Sequence, residues 1–124
     1  GTRTVGNQIH ADRSRIDFHP IKFEDEMLER VFSVAADQID AAHPVTCTTM
    51  TRSEINKIMP PERTNMDLLP ASINELRVIK IGNNVDLCPC AGTHIANLQE
   101  IGEIELLGKK SKGSMKQRIS YTIK

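Results

Sequence analysis

Apolar positions recur with two different periods along the chain, and each period predicts a type of element. Loose alternation of apolar and polar residues from Thr4 to Phe18 predicts an antiparallel hairpin that turns near Ala11–Ser14. Between residues 21 and 43 the apolar side chains instead share one helical face, and this helix should stop before Pro44. Its apolar stripe comprises Phe23, Met27, Val31, Val34, Ala35, Ile39 and Ala42, with Leu28 and Phe32 at the margin.

The remainder of the chain predicts more strand than helix. Residues 45–50 are rich in β-branched side chains and predict a short strand. Thr51–Glu54 matches a capping box and should begin a brief helix, which Pro60 ends before a loop that extends to Pro70. Further strands are predicted at residues 76–81, 85–88, 101–107 and 117–123. Interspersed strands with few helices predict an α+β fold, an antiparallel sheet packed against one long and one or two short helices.

Length and composition restrict the class of protein. The 124 residues fit a single domain over 1–124 with its own core, and the start at Gly1 rather than Met suggests a fragment truncated at its N-terminus. No apolar run approaches the length of a membrane span. Two of the three cysteines are separated by one proline, which suits a reducing compartment better than a disulfide framework. We therefore expect a soluble, cytoplasmic protein with no membrane partner.

The charges are balanced in sum but not in distribution. A net charge of zero argues against a general nucleic-acid binder. The C-terminal segment, however, carries only bases after residue 108, namely Lys109, Lys110, Lys112, Lys116, Arg118 and Lys124. Such a stripe could neutralise several phosphates. The alternative is a pair of solvated strands whose lysines protect a sheet edge from pairing with another chain.

The segment Cys88–His94 carries the chain's most specific chemistry. Thiolate sulfur and imidazole nitrogen are zinc ligands, and Cys90 and His94 can supply two of the four that a tetrahedral site needs. Cys88 is better explained as a small buried hydrophobe, because Cys-x-Cys is a cramped chelate. Cys47 is expected in the core.

The other histidines have ordinary structural explanations or line a cleft. His19 precedes a proline, and His43 lies at a predicted helix C-terminus, where a cation suits the helix dipole. His10, in the first hairpin, is the best candidate to line a cleft.

Several segments together resemble a known family. They are residues 75–81, 86–94, 100–104 and 117–121, together with the first hairpin from Gly6 to Phe18. These residues resemble the editing domain of alanyl-tRNA synthetase, nearest to the free-standing AlaX trans-editing proteins and more distantly the editing domain of threonyl-tRNA synthetase. The family's Cys-x-Gly-Thr-His signature is met by Cys90–His94, and the resemblance covers essentially the whole chain.

The resemblance implies a hydrolase that deacylates mischarged alanine tRNA by removing serine or glycine. It also implies Zn²⁺ held by Cys90 and His94 together with a His-x₃-His pair, which belongs upstream of Gly1 and is absent from these residues. Within this family framework, Gln8, Asn7 and Thr93 are the candidates for substrate binding. Lys110, Lys112 and Arg118 are the candidates for contact with the tRNA backbone.

Two alternatives stay open at this point. One is a non-catalytic tRNA-binding module that keeps the fold with an incomplete metal site. The other is a structural-zinc domain in which Cys88, Cys90, His94 and one remote histidine close the coordination. The oligomeric state is also open, with a homodimer as one option.

Overall fold

The computed structural model describes residues 1–124, and these residues divide into two compact units. The first unit comprises Gly1–Ala41 and Ile101–Lys124, and the second comprises Ala42–Glu100. The division into two compact units does not test whether residues 1–124 form one domain, so the single domain stays a prediction. No helix is long and apolar enough to cross a membrane.

Seven strands and three α-helices form the fold. In chain order they are β1 (Arg3–Ile9), β2 (Ser14–His19), α1 (Asp25–Asp40), β3 (Val45–Thr51), α2 (Arg52–Ile58), α3 (Pro61–Thr64), β4 (Glu75–Ile81), β5 (Asp86–Pro89), β6 (Ile104–Ser111) and β7 (Gln117–Ile123). Short 3₁₀ turns occupy Met66–Leu68 and Leu98–Ile101. The α+β class is confirmed. The strands form two antiparallel sheets rather than one, a four-stranded sheet in the order β1-β2-β7-β6 and a three-stranded sheet in the order β3-β4-β5.

Both predicted hairpins lie in the first unit. The β1–β2 and β6–β7 hairpins are joined by antiparallel pairing of β2 with β7, in which Asp17 is opposite Arg118. Because side chains alternate across a strand, this sheet has an apolar face and a polar face. The apolar core of the unit contains Phe23, Leu28 and Ile119, with Phe18, Ile21, Phe32 and Leu106 packed against it.

Helix α1 buries only part of the predicted apolar stripe. Met27, Val31 and Val34, central to the predicted stripe, are 39, 48 and 52% exposed, whereas Leu28 and Ile39 are buried. The buried side is shifted toward Leu28 and Phe32, which pack in the core of the first unit. The helix is also shorter than the predicted 21–43.

The second unit is organised around the capped helix that the sequence predicts. Thr51 Oγ1 accepts from the Glu54 backbone N–H at 3.2 Å, and the Glu54 carboxylate accepts from the Thr51 N–H at 3.0 Å, which confirms the capping box. The core of this unit contains Ile55, Met59, Met66, Val78 and Leu87. The predicted loop up to Pro70 instead contains α3 and a 3₁₀ turn.

Candidate functional site

The Cys90–His94 segment follows directly after β5, where it is held by the neighbouring strand β4. The Cys90 N–H donates to the Arg77 carbonyl at 3.1 Å, which continues the strand pairing by one residue. The Arg77 guanidinium Nη1 then donates to the Cys90 carbonyl at 2.7 Å and to the Gly92 carbonyl at 2.8 Å. One arginine therefore fixes the backbone on both sides of the turn.

Within this turn, the thiol of Cys90 and the imidazole of His94 border the same small space. A Cβ placed on Gly92 would lie 3.7 Å from Cys90 Sγ and 4.0 Å from His94 Cε1. The sulfur and the ring thus lie around one point that only the absence of a side chain leaves open. The sequence prediction that these two side chains converge is consistent with this geometry.

The ring of His94 is held by a backbone carbonyl. Its Nδ1 lies 3.1 Å from the Gly92 carbonyl oxygen. A carbonyl only accepts, so Nδ1 must carry the proton to make this bond, which leaves the lone pair on Nε2. A histidine that binds a metal through one nitrogen commonly donates its other N–H to a carbonyl in this way.

The two residues fit one half of a tetrahedral zinc site. The structure brings together no group of three or more His, Cys, Asp or Glu side chains that could hold a metal ion. The structural zinc site of Cys88, Cys90, His94 and a remote histidine, one of the two alternatives, is therefore not formed in this structure. A zinc ion bound by Cys90 and His94 would therefore need its other ligands from outside the His, Cys, Asp and Glu side chains that this structure places near them.

The two remaining cysteines differ from one another in environment. Cys88 is half-buried, and burial, followed by the neighbouring charges of Asp86 and Cys90, raises the pKa of its thiol. That environment favours the neutral thiol over the thiolate that zinc requires. The prediction that Cys47 lies in the core is wrong, because Cys47 is exposed. Cys47 and Met50 lie on opposite faces of β3, and Met50 is the one that packs against the core.

The three candidates for substrate binding are not equivalent. Asn7 and Gln8 are consecutive in β1, so their side chains point to opposite faces of the sheet and cannot line one pocket. Gln8 Oε1 accepts from Arg15 Nε at 2.8 Å. Thr93 is exposed in the turn between Gly92 and His94. Their roles in binding substrate stay predictions.

Lys110, Lys112 and Arg118 line one concave surface of about 340 Å³ on the first unit. His10, predicted to line a cleft, lies in the same concavity, as do Arg13 and Arg15, which the sequence analysis missed. These two arginines belong to the first hairpin, far along the chain from the basic C-terminal segment. Only the β2–β7 pairing brings them beside it, so no local pattern could have indicated them.

Arg118 differs from the other bases because it is already paired. Its Nε donates to Asp17 Oδ1 at 2.7 Å and its Nη2 to Asp17 Oδ2 at 3.0 Å. The hydrogen bond from Arg118 lowers the pKa of Asp17, and the same bond raises the pKa of Arg118. This bidentate pair holds β2 to β7 on the polar face of the sheet.

The chain is similar to known proteins along nearly its whole length. Residues 76–120 match the threonyl and alanyl tRNA synthetase second additional domain, a span that includes the Cys90–His94 turn and the start of β7. The alanyl-tRNA editing protein AlaX-M of Methanosarcina barkeri is 28% identical over 123 residues, which are 99% of this chain and 50% of that protein. The alanine–tRNA ligase of Methanothrix thermoacetophila is 28% identical over 118 residues, 94% of this chain and 12% of the ligase.

A third relative, the alanyl-tRNA editing protein AlaX-L of Pyrococcus horikoshii, is 33% identical over 85 residues, 56% of this chain and 21% of that protein. The chain spans about half the length of the AlaX-M proteins it matches. The matched domain and the relatives aligned along nearly the whole chain agree with the resemblance that the Cys90–His94 signature indicates. The chain is similar to alanyl-tRNA editing proteins of the AlaX type and to alanine–tRNA ligases.

Proposed function

We propose that this chain takes part in the hydrolysis of the aminoacyl ester of mischarged alanine tRNA, with release of serine or glycine. The observation that carries the proposal is the placement of Cys90 Sγ and the His94 ring around one open point at Gly92. The relatives named alanyl-tRNA editing proteins support the same activity.

In this proposal Cys90 and His94 hold a zinc ion, Cys90 as thiolate and His94 through Nε2. When bound, zinc supplies a Lewis acid for the ester carbonyl and lowers the pKa of a coordinated water. The His-x₃-His pair that the family resemblance implies would supply the other two protein ligands. Arg77 keeps the two ligands in place through the Cys90 and Gly92 carbonyls.

When the substrate carries serine, selectivity against correctly charged tRNA cannot depend on excluding bulk, since alanine is smaller than serine. A site that hydrogen-bonds the serine hydroxyl instead penalises a substrate that leaves its polar groups unpaired. Thr93 is the best of the three candidates for this contact, because its hydroxyl lies on the turn that carries His94 and is exposed.

The partner in this proposal is tRNA, contacted through its phosphates by the basic residues of the first unit. Lys110 and Lys112 suit this role better than Arg118, whose guanidinium is bound to Asp17. Phosphate contacts of this kind position the substrate and carry no sequence information.

The proposal is tested by the release of labelled serine or glycine from mischarged alanine tRNA. The reading frame should be expressed with its natural flanking sequence and zinc supplied. We expect Cys90→Ala to lower the rate by at least about 100-fold. Loss of a residue that only supports a metal ligand lowers activity by up to about 100-fold, and loss of a ligand itself should lower it at least as much. Cys47→Ala is the matched control, because it removes an exposed thiol outside the turn, and it should retain the rate. Equal rates in Cys90→Ala and the unsubstituted protein would reject the proposal.

A non-catalytic tRNA-binding module is the second candidate function. It is favoured by the absence of a third metal-ligating side chain beside Cys90 and His94. This candidate predicts tRNA binding without release of the amino acid, even with zinc and flanking sequence present.

A further inference from the structure

The polar face of the four-stranded sheet carries a basic concavity that neither the matched family description nor the names of the relatives assign to any ligand. It has a volume of about 340 Å³. Its cationic lining residues are Arg13, Arg15, Lys110, Lys112 and Arg118, and its other lining residues are Gln8, His10, Ser14 and Ser120. No carboxylate lines it, which is unusual in a chain whose net charge is zero.

Arg15 is oriented toward this concavity by its neighbour on β1. Its Nε donates to Gln8 Oε1 at 2.8 Å, which fixes the plane of the guanidinium. The two terminal nitrogens are left for another acceptor. A planar guanidinium held in this way suits a bidentate contact with a phosphate group.

The positive charges in the concavity repel one another in the absence of a ligand. Arg118, then Lys110 and Arg15, lower the pKa of Lys112 through their charges. Asp17 offsets only part of this potential, because its carboxylate is bound to Arg118 on the same face. An anion in the concavity would relieve this repulsion, as counter-charges do in clefts lined by one sign of charge.

We propose that this concavity binds the phosphodiester backbone of RNA, with Arg15 and Lys112 as the principal contacts and Arg13 and Lys110 beside them. Arg118 has a different task, since it positions β2 against β7 through Asp17. The identification of RNA as the ligand rests on the proposed function, in which the substrate is a tRNA. The presence of the basic concavity does not depend on the proposed function, because it follows from the geometry of the first unit.

The test is the salt dependence of binding between the full chain and uncharged alanine tRNA, followed by fluorescence anisotropy. Arg15→Gln and Lys112→Gln should each lower the slope of log K against log salt by about 0.7 to 0.9, as expected for one lost phosphate contact. The double variant should lower it by about twice that amount. Lys124→Gln is the matched control, because it removes a cation of the same unit that lies outside the concavity near Glu103 and Glu105, and its slope should not change.

An unchanged slope in the folded double variant would overturn the proposal. Binding of inorganic phosphate is measured as well, in order to distinguish a site for free phosphate from a site for the RNA backbone. If it binds the unsubstituted chain while the double variant still binds tRNA with full affinity and slope, the concavity is a free-phosphate site and the proposal fails.

The salt-dependence experiment and the assay of serine release test the RNA-binding surface and the hydrolase activity separately. A reduced slope in the double variant together with no release of serine would support the concavity and reject the hydrolase. An unchanged slope together with a large rate loss in Cys90→Ala would do the reverse.

Discussion

At Gly92, the position that a methyl group would occupy is bordered by Cys90 Sγ and by the ring of His94. The sequence could predict that these two side chains lie near each other, because residues four apart with a glycine between them are brought together by the local chain. It could not predict the role of Arg77. That contact joins residues thirteen apart and depends on the pairing of β4 with β5.

We expect Gly92→Ala to weaken zinc binding by roughly tenfold or more, the size of effect that disturbing the support of metal ligands produces. The added methyl group would lie against Cys90 Sγ and His94 Cε1, at 3.7 and 4.0 Å, while the backbone of Gly92 is not in the left-handed region and accepts alanine. Affinity is measured by competition with a chelator, and thermal unfolding monitors the fold. An unchanged zinc affinity in a folded variant would place the metal elsewhere.

Arg77→Gln should lower zinc affinity by about 10- to 100-fold, because it releases the carbonyls of Cys90 and Gly92 that fix the turn. Arg77→Lys keeps one cationic donor and should recover part of the loss, which a general effect on folding would not explain. Arg30→Gln, on the exposed side of α1, is the matched control. Equal affinities for the Arg77 and Arg30 variants would contradict the positioning role.

Among the elements, both hairpins and the capped helix α2 could be predicted, since each depends on residues close in sequence. The pairing of β2 with β7 could not, because its partners lie about a hundred residues apart, as the sequence separation of 101 positions between Asp17 and Arg118 illustrates. The buried face of α1 was predicted only in part for a related reason, since Ile39 is buried as expected whereas Met27, Val31 and Val34 are exposed. Only the tertiary partners in the core of the first unit decide which side of this helix is buried.

The Asp17–Arg118 pair makes the stability of the sheet depend on pH in a defined direction. The hydrogen bond from Arg118 lowers the pKa of Asp17 in the folded state. Its contribution is therefore complete above the unfolded value of about 3.9 and is lost as the pH falls through the lower folded value. We expect Asp17→Asn to be less stable than the unsubstituted protein at neutral pH and to lose less stability on acidification below pH of about 4.

This prediction is measured by urea unfolding at a series of pH values. Asp37→Asn, an exposed aspartate of α1 without an ion-pair partner, is the matched control and should follow the unsubstituted protein. Parallel acid profiles for Asp17→Asn and the unsubstituted protein would show that the pair does not stabilise the folded state.

At the scale of the whole molecule, composition and element order predicted the α+β class, but not the division of the strands into two sheets. Each sheet has its own core, one around Leu28 and Ile119 and the other around Ile55 and Val78. That division depends on which strands pair across long stretches of sequence. The Cys90–His94 turn and the basic concavity belong to different units, and each proposed role is tested within its own unit.

The account depends most on whether Cys90 and His94 share one zinc ion. X-ray absorption at the zinc edge of the full chain loaded with zinc measures this directly. We expect one sulfur at about 2.3 Å and at least one imidazole nitrogen in the ligand shell. The sulfur should disappear in Cys90→Ala and remain in Cys47→Ala. A shell without sulfur in the unsubstituted protein, or a sulfur that survives Cys90→Ala, would contradict the account.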